Sequence, residues 1–121
     1  MNRHLTPDVC VVGGGSAGLV VAAGAAQLGL DTVLIERAEM GGDCLNFGCV
    51  PSKALIAAAK AAQAQRSGAA FGIAPVEPQI DFARVMDHVT ETIAAIAPND
   101  SVERFEKLGV RVLREEARFV G

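Results

Sequence analysis

The sequence predicts an α/β fold built on a parallel sheet, and three observations predict it. A short apolar run, Val9-Cys10-Val11-Val12, leads straight into a glycine-rich turn, Gly13 to Gly18. An alanine-rich helical stretch follows the turn. A second run rich in β-branched residues, Thr32-Val33-Leu34-Ile35, then completes a strand–helix–strand unit of about 30 residues. With 121 residues, 50% of them apolar, the chain has the material for one domain with a real core.

The first run reads as a buried parallel strand, and Cys10 within it as a small apolar core residue. Strong helix formers from Leu19 to Leu28 predict a helix, with Gly29 as its C-cap. The second strand ends at the acidic Glu36. Met40 to Val50, with two cysteines and three glycines, reads as irregular. Pro51 and Ser52 open another helix, since proline is tolerated in a first turn, and the alanine-rich tract carries it to Arg66. Ser67-Gly68 ends it, and the segment to Gln79, containing Pro75 and Pro78, is a loop. Asp81 caps a further helix in which Phe82, Val85, Val89, Ile93 and Ile96 recur at spacings of three and four, predicting one buried face. Pro98-Asn99-Asp100 breaks it. A short helix from Ser101 to Leu108 ends at Gly109. Val110 to Leu113 reads as a third strand and Ala117 to Val120 as the start of a fourth.

Charge and hydropathy exclude several classes of partner. Eleven basic residues against fourteen acidic ones, net −3, leave no footprint for nucleic acid and no basic block for a membrane surface. No apolar run approaches the roughly 20 residues that span a bilayer. The polar start, Met1 to Asp8, lacks the apolar stretch of a signal peptide. These features point to the cytoplasm, where three cysteines do not make a structural disulfide framework.

The turn has the pattern Gly13-x-Gly15-x-x-Gly18 between a strand and a helix. Gly13 permits the tight turn, Gly15 lets the backbone approach a pyrophosphate, and Gly18 lets helix and strand pack closely. The helix start directs free N–H groups and its positive dipole end at phosphates, and Glu36 stands where a carboxylate can accept hydrogen bonds from ribose hydroxyls. The competing reading is a turn selected for backbone geometry alone; strand, helix and acidic residue in the expected places favour a nucleotide site. Whether the nucleotide is FAD or NAD is left open by the turn itself.

Cys44 and Cys49 are separated by four residues at the entrance to a helix, in a segment irregular enough to bring their sulfurs together. Cys49, placed just before the first turn, gains thiolate character from the helix dipole and unpaired N–H groups. A stabilised thiolate leaves well and eases reduction of a disulfide. Lys53 adds a positive charge on the same face. Zinc is disfavoured, because the further ligands available are Cys10, within a strand, and the distant His4 and His88; no metal site is expected.

The run Gly41-Gly42-Asp43-Cys44-Leu45-Asn46-Phe47-Gly48-Cys49-Val50-Pro51-Ser52-Lys53-Ala54-Leu55 resembles the active-site signature of class I pyridine nucleotide-disulfide oxidoreductases, a family that includes glutathione reductase, dihydrolipoamide dehydrogenase and mercuric reductase. With the glycine turn and Glu36, the resemblance covers essentially the whole chain. The stretch Ile96 to Phe105 looks most like the mercuric-reductase-like branch, and Asp43 stands where well-studied members have threonine. The resemblance implies a Rossmann-like FAD-binding domain. Gly13, Gly15 and Gly18 would lie under the FAD pyrophosphate and Glu36 would hold the adenosine ribose, with Arg37 beside it. Gly14, Ser16, Ala17, Gly42 and Asp43 would line the rest of the cofactor. Cys49 would be the sulfur nearest the isoalloxazine, forming a charge-transfer thiolate; Cys44 would be the interchange thiol; Lys53 would favour the reduced flavin. Electrons would run from NAD(P)H through FAD and the Cys44–Cys49 disulfide to a small-molecule disulfide or a metal ion.

Members of that family are about four times longer, with a second glycine fingerprint for NAD(P)H, a dimerisation domain and an acid–base histidine that comes from it. None of these is expected within residues 1–121, and His4 and His88 are expected at the surface. The chain is then an N-terminal part of the FAD domain: an engineered truncation, a proteolytic fragment or one part of a split gene. It is expected to be inactive alone and to self-associate, whereas the full-length protein would be a homodimer. The alternatives are a catalytically incomplete nucleotide-binding fragment and a small Rossmann NAD-binding module with incidental cysteines.

Overall fold

The computed structural model describes residues 4–121; Met1 to Arg3, the head of the polar N-terminal run, lie outside the described residues. Three strands, β1 (Val9–Val12), β2 (Thr32–Ile35) and β3 (Val110–Leu113), form one sheet in the order β1-β2-β3. Both pairings are parallel, with Val11 opposite Leu34 and Leu34 opposite Val112. The first connection is α1 (Ser16–Gln27). The second, from β2 to β3, holds α2 (Gly42–Asn46), α3 (Cys49–Arg66), α4 (Phe82–Ile96) and α5 (Val102–Lys107).

Strand periodicity decides where the core sits. Val11 and Leu34 share one face with Val110, and there they pack with Leu19 and Ala22 of α1, Phe105 of α5 and Met40. Leu34 and Ala22 are fully buried. On the opposite face Cys10, Val12 and Arg111 are exposed, while Val33, between Cys10 and Arg111, is buried. Cys10 is therefore not a core residue: it points away from the face that α1 and α5 cover, and β1 alternates between buried and exposed positions instead of being buried throughout.

The helices differ from expectation in instructive ways. The first begins at Ser16, three residues before the apolar stretch, with Gly15 as N-cap, so the last residues of the glycine turn are already helical. Gly29 follows the C-cap Leu28 with φ +82°, a left-handed stop that glycine adopts without strain. The stretch read as irregular contains the short helix α2, and α3 starts at Cys49 instead of Pro51. Pro51 sits inside the first turn, where no N–H is needed for a helical bond. Ala69–Phe71 forms a 3₁₀ turn within the expected loop. Asp81 caps α4 by accepting from the Arg84 N–H at 3.2 Å, and Ser101 caps α5 in the same way.

Two further expectations fail. On the apolar face of α4, Val89 is buried, but Phe82 is exposed, because α4 packs mainly on α3 and not on the sheet. Ala117–Val120 is not a strand; no strand lies beside it among the described residues, and an unpaired strand has no ladder to hold it. His4 and His88 are both exposed, as expected.

Candidate active site

The glycine turn is fixed by its own backbone. Gly13 has φ +104° and donates its N–H to the Ile35 carbonyl at 2.8 Å, which ties the end of β1 to β2. A methyl group on Gly18 would run into the carbonyl oxygen of Gly13, so strand and helix approach closely only with glycine there. The first helical bond of α1 runs from the Leu19 N–H to the Gly15 carbonyl at 2.9 Å. The N–H groups of Ser16, Ala17 and Gly18 therefore have no helical acceptor, and no acidic side chain occupies that first turn. This is the arrangement that binds phosphate.

Glu36 is buried at the end of β2, and its carboxylate takes two backbone donors that the sequence did not announce. One carboxylate oxygen accepts from the Gly14 N–H at 2.6 Å and the other from the Ala38 N–H at 2.7 Å. It thus braces the glycine turn from below. Each oxygen keeps a second lone pair, so acceptor capacity for hydroxyl groups remains. Glu36 also lines a cleft of about 290 Å³ with Val12, Gly13, Arg37 and Ala117. Arg37 is exposed at its edge and pairs with Glu116 at 3.4 Å.

The same turn holds the cysteine loop. The Gly14 carbonyl accepts from the Gly41 N–H at 2.8 Å. Gly41 and Gly42 both have positive φ, and a methyl group on Gly42 would lie 2.6 Å from the Gly15 Cα. Two glycines are thus needed to lay this loop against the glycine turn. Asn46, between the two cysteines, donates to the Gly42 carbonyl at 2.8 Å and the Met40 carbonyl at 3.3 Å, closing α2 on itself. Gly41 and Asn46 were not singled out beforehand, although an asparagine among short loop residues is a familiar side-chain-to-backbone bonding signal.

Cys44 and Cys49 are joined in a disulfide, with Cα atoms 4.6 Å apart. Cys49 is the first residue of α3, so its sulfur stands at the positive end of an 18-residue helix. Cys44 is half-buried and Cys49 exposed. Lys53 lies one turn into α3 on the face of Cys49 and is exposed. A single open cavity of about 480 Å³ is lined by Gly13, Gly15, Ser16, Ala17, Gly18, Asp43 and both cysteines. Most of the sequence-selected residues are thereby brought together; Glu36 and Arg37 lie round the corner in the second cleft, and Gly14, Gly42 and Lys53 line neither. Cys10 is free and exposed. A further groove of about 540 Å³, between α3 and α4 and lined by residues such as Leu55, Ala58, Ala62, Ile80 and Phe82, contains no cysteine. Among the described residues no helix is long and apolar enough to cross a membrane.

A phosphate-ready turn and a disulfide sharing one cavity pose a definite family question. The family model for pyridine nucleotide-disulphide oxidoreductases matches residues 7–120. The chain belongs to that family. It is similar to the dihydrolipoyl dehydrogenase of Pseudomonas aeruginosa, with 42% identity over 85% of this chain and 24% of the relative. It is also similar to the mercuric reductase of Streptomyces lividans, with 30% identity over 98% of this chain and 25% of the relative. Among solved structures, the Cu(II) complex of the HOCl-induced flavoprotein disulfide reductase RclA from Escherichia coli superposes with a TM-score of 0.72, covering 93% of this chain and 22% of that one. At 23% identity that likeness speaks for the fold alone. The fold is the Rossmann-like one expected. The chain spans about a quarter of the length of the curated relatives it matches.

Proposed function

We propose that this chain is the N-terminal, FAD-binding and disulfide-bearing part of an oxidoreductase that passes electrons from NAD(P)H to a small-molecule disulfide or a metal ion. The observation that carries the proposal is the shared cavity: the phosphate-binding turn and the Cys44–Cys49 bond form its walls. NAD(P)H binding and the contacts of a homodimer are assigned to sequence other than residues 1–121, and the isolated chain is assigned no turnover of its own. The cytoplasm is its proposed location.

The residues present fit FAD. The N–H groups of Ser16, Ala17 and Gly18 face the place for a pyrophosphate, the glycines leave room for it, and Glu36 keeps lone pairs for ribose hydroxyls. Asp43 borders the same space, Gly42 packs against Gly15 behind it, and Arg37 borders the ribose cleft. When bound, FAD supplies two-electron chemistry between a nicotinamide and a disulfide. The chain's residues position that chemistry. Cys49, at the helix end, holds the thiolate; Cys44 is the interchange sulfur that meets substrate; Lys53 contributes positive charge. Relatives named dihydrolipoyl dehydrogenase support a small dithiol or disulfide as the partner substrate, and the mercuric reductase supports a thiophilic metal ion.

The test is flavin retention by the 121-residue chain. After mixing with FAD and gel filtration, flavin absorption should travel with the protein, and Gly18→Ala should lower the affinity at least tenfold. A colourless protein that binds adenine nucleotides but no flavin would favour the small NAD-binding module instead.

A further inference from the structure

We propose that Asp43 is a positioning residue of the cysteine pair, its carboxylate setting how readily the Cys44–Cys49 bond is reduced by acting on the thiolate that reduction creates at Cys49. The proposal deepens the reading of that bond as a redox couple and rests on it.

Asp43 is the second residue of α2, directly before Cys44. Its side chain turns back across the loop, so that a methyl group on Gly48 would lie 3.2 Å from the Asp43 Oδ2. Gly48 is the N-cap of α3, whose first residue is Cys49. The first turn of α3 has no acidic residue, and Gly48 offers no capping side chain, so Asp43 brings a negative charge to a helix end that otherwise has none of its own. Among the described residues lining the shared cavity, Asp43 is also the one charged side chain. Other charges stand further off. Lys53 lies a turn along α3 and does not line the cavity; Asp100 reaches the far side of α2, near Gly41; the first turn of α1 has no acidic side chain; and no charged side chain of α4 lines the cavity.

Two influences therefore oppose each other at Cys49. The end of α3 favours a thiolate, and the Asp43 carboxylate disfavours it. With a dithiol reductant, one reductant thiolate attacks the Cys44 sulfur, the S–S bond breaks, and its electron pair leaves on Cys49. The second reductant thiolate then attacks the mixed disulfide, releasing the Cys44 sulfur and closing the reductant into a cyclic disulfide. Two electrons reach the protein, and each sulfur keeps its charge or takes a proton according to pH. A carboxylate beside the leaving sulfur disfavours the product only where that sulfur is ionised. Its influence should thus grow with pH.

The experiment equilibrates the 121-residue chain with graded ratios of reduced to oxidised dithiothreitol and counts free Cys44 and Cys49 by alkylation and mass spectrometry. At about pH 8, near the ordinary thiol range, Asp43→Asn should favour the dithiol about fivefold over the parent. As pH is lowered until the Cys49 sulfur no longer ionises on reduction, the gap should shrink and the two proteins should coincide. Asp43→Glu, which keeps the charge, should stay within about twofold of the parent throughout. Superimposable titrations of Asp43→Asn and parent at every pH would overturn the proposal. So would a gap of constant size, which marks a loop brace and not a charge effect. A parent chain that never forms the Cys44–Cys49 bond would overturn the redox reading itself, and this inference with it.

Discussion

Glu36 and Gly18 hold the glycine turn in place by opposite means, one by a bond it makes and the other by a side chain it lacks. Replacing Glu36 with Gln presents an amide N–H₂ where an oxygen now accepts from Gly14 or Ala38, leaving a backbone donor unmatched in a buried site. That substitution should cost about 1–3 kcal/mol in a denaturant titration and weaken flavin binding further. Gly18→Ala forces the helix away from the Gly13 carbonyl and should cost about 1–3 kcal/mol by the same measurement. Stability unchanged in both variants would mean that the turn is held by something other than these contacts. The turn conformation of Gly13, the close strand–helix approach at Gly18 and the meeting of the two cysteine sulfurs were legible in the sequence, because each answers a local demand of backbone geometry or chemistry. The exposure of Cys10 was not, since it depends on which face of the sheet the helices cover.

Among the elements, α5 is anchored to the sheet by one side chain. Phe105 is 2% exposed, packed in the cluster with Leu34 and Val110. Phe105→Ala should remove about 3–5 kcal/mol, measured by urea unfolding; a loss below about 1 kcal/mol would show the cluster closing over the gap. The end of α3 is fastened differently. Arg66 pairs with Glu77 at 2.6 Å, clipping the following loop to the helix. The hydrogen bond from Arg66, helped by its charge, holds the Glu77 carboxyl below the usual carboxylate range. A depressed carboxyl stabilises above its unfolded pKa and loses that contribution as pH falls through the folded one. Proteolysis of residues 67–80 should therefore quicken on acidification in the parent, while Glu77→Gln should be insensitive over that range. Strands β2 and β3 were readable to the residue, because β-branched runs bounded by glycine or charge have sharp ends. The starts of α1 and α3 were not, because their first turns are built from glycine and cysteine, whose low propensity is overridden by the sheet and the loop they pack on.

For the whole molecule, one side of the sheet is covered and the other is only partly so, with Val33 buried but its edges bare. Val12 is 58% exposed beside the exposed Cys10, and β1 and β3 both lie at sheet edges. Val20, Leu28, Phe71 and Phe119 add exposed apolar surface elsewhere. Surface of this kind favours association. Light scattering should give a mass that rises with protein concentration, and a monodisperse monomer that binds no apolar dye would contradict the proposed self-association. The α/β class and the parallel sheet followed from the first third of the sequence. Uncovered apolar surface and a bare sheet edge were expected of a part of a larger domain; which residues stay bare was not, since hydrophobic periodicity indicates that a side chain prefers burial but not whether anything is there to bury it, and Phe82 on α4 and the unformed strand at Ala117 are the clearest cases.

The central claim is that a reversible Cys44–Cys49 bond shares its cavity with a nucleotide site, and residue-resolved alkylation with and without FAD tests it most directly. Cys10 should label at once in every sample. Cys44 and Cys49 should label only after reduction, and then more slowly when FAD is present. Labelling of Cys44 or Cys49 without reductant, or FAD protection of Cys10 equal to that of the pair, would contradict it.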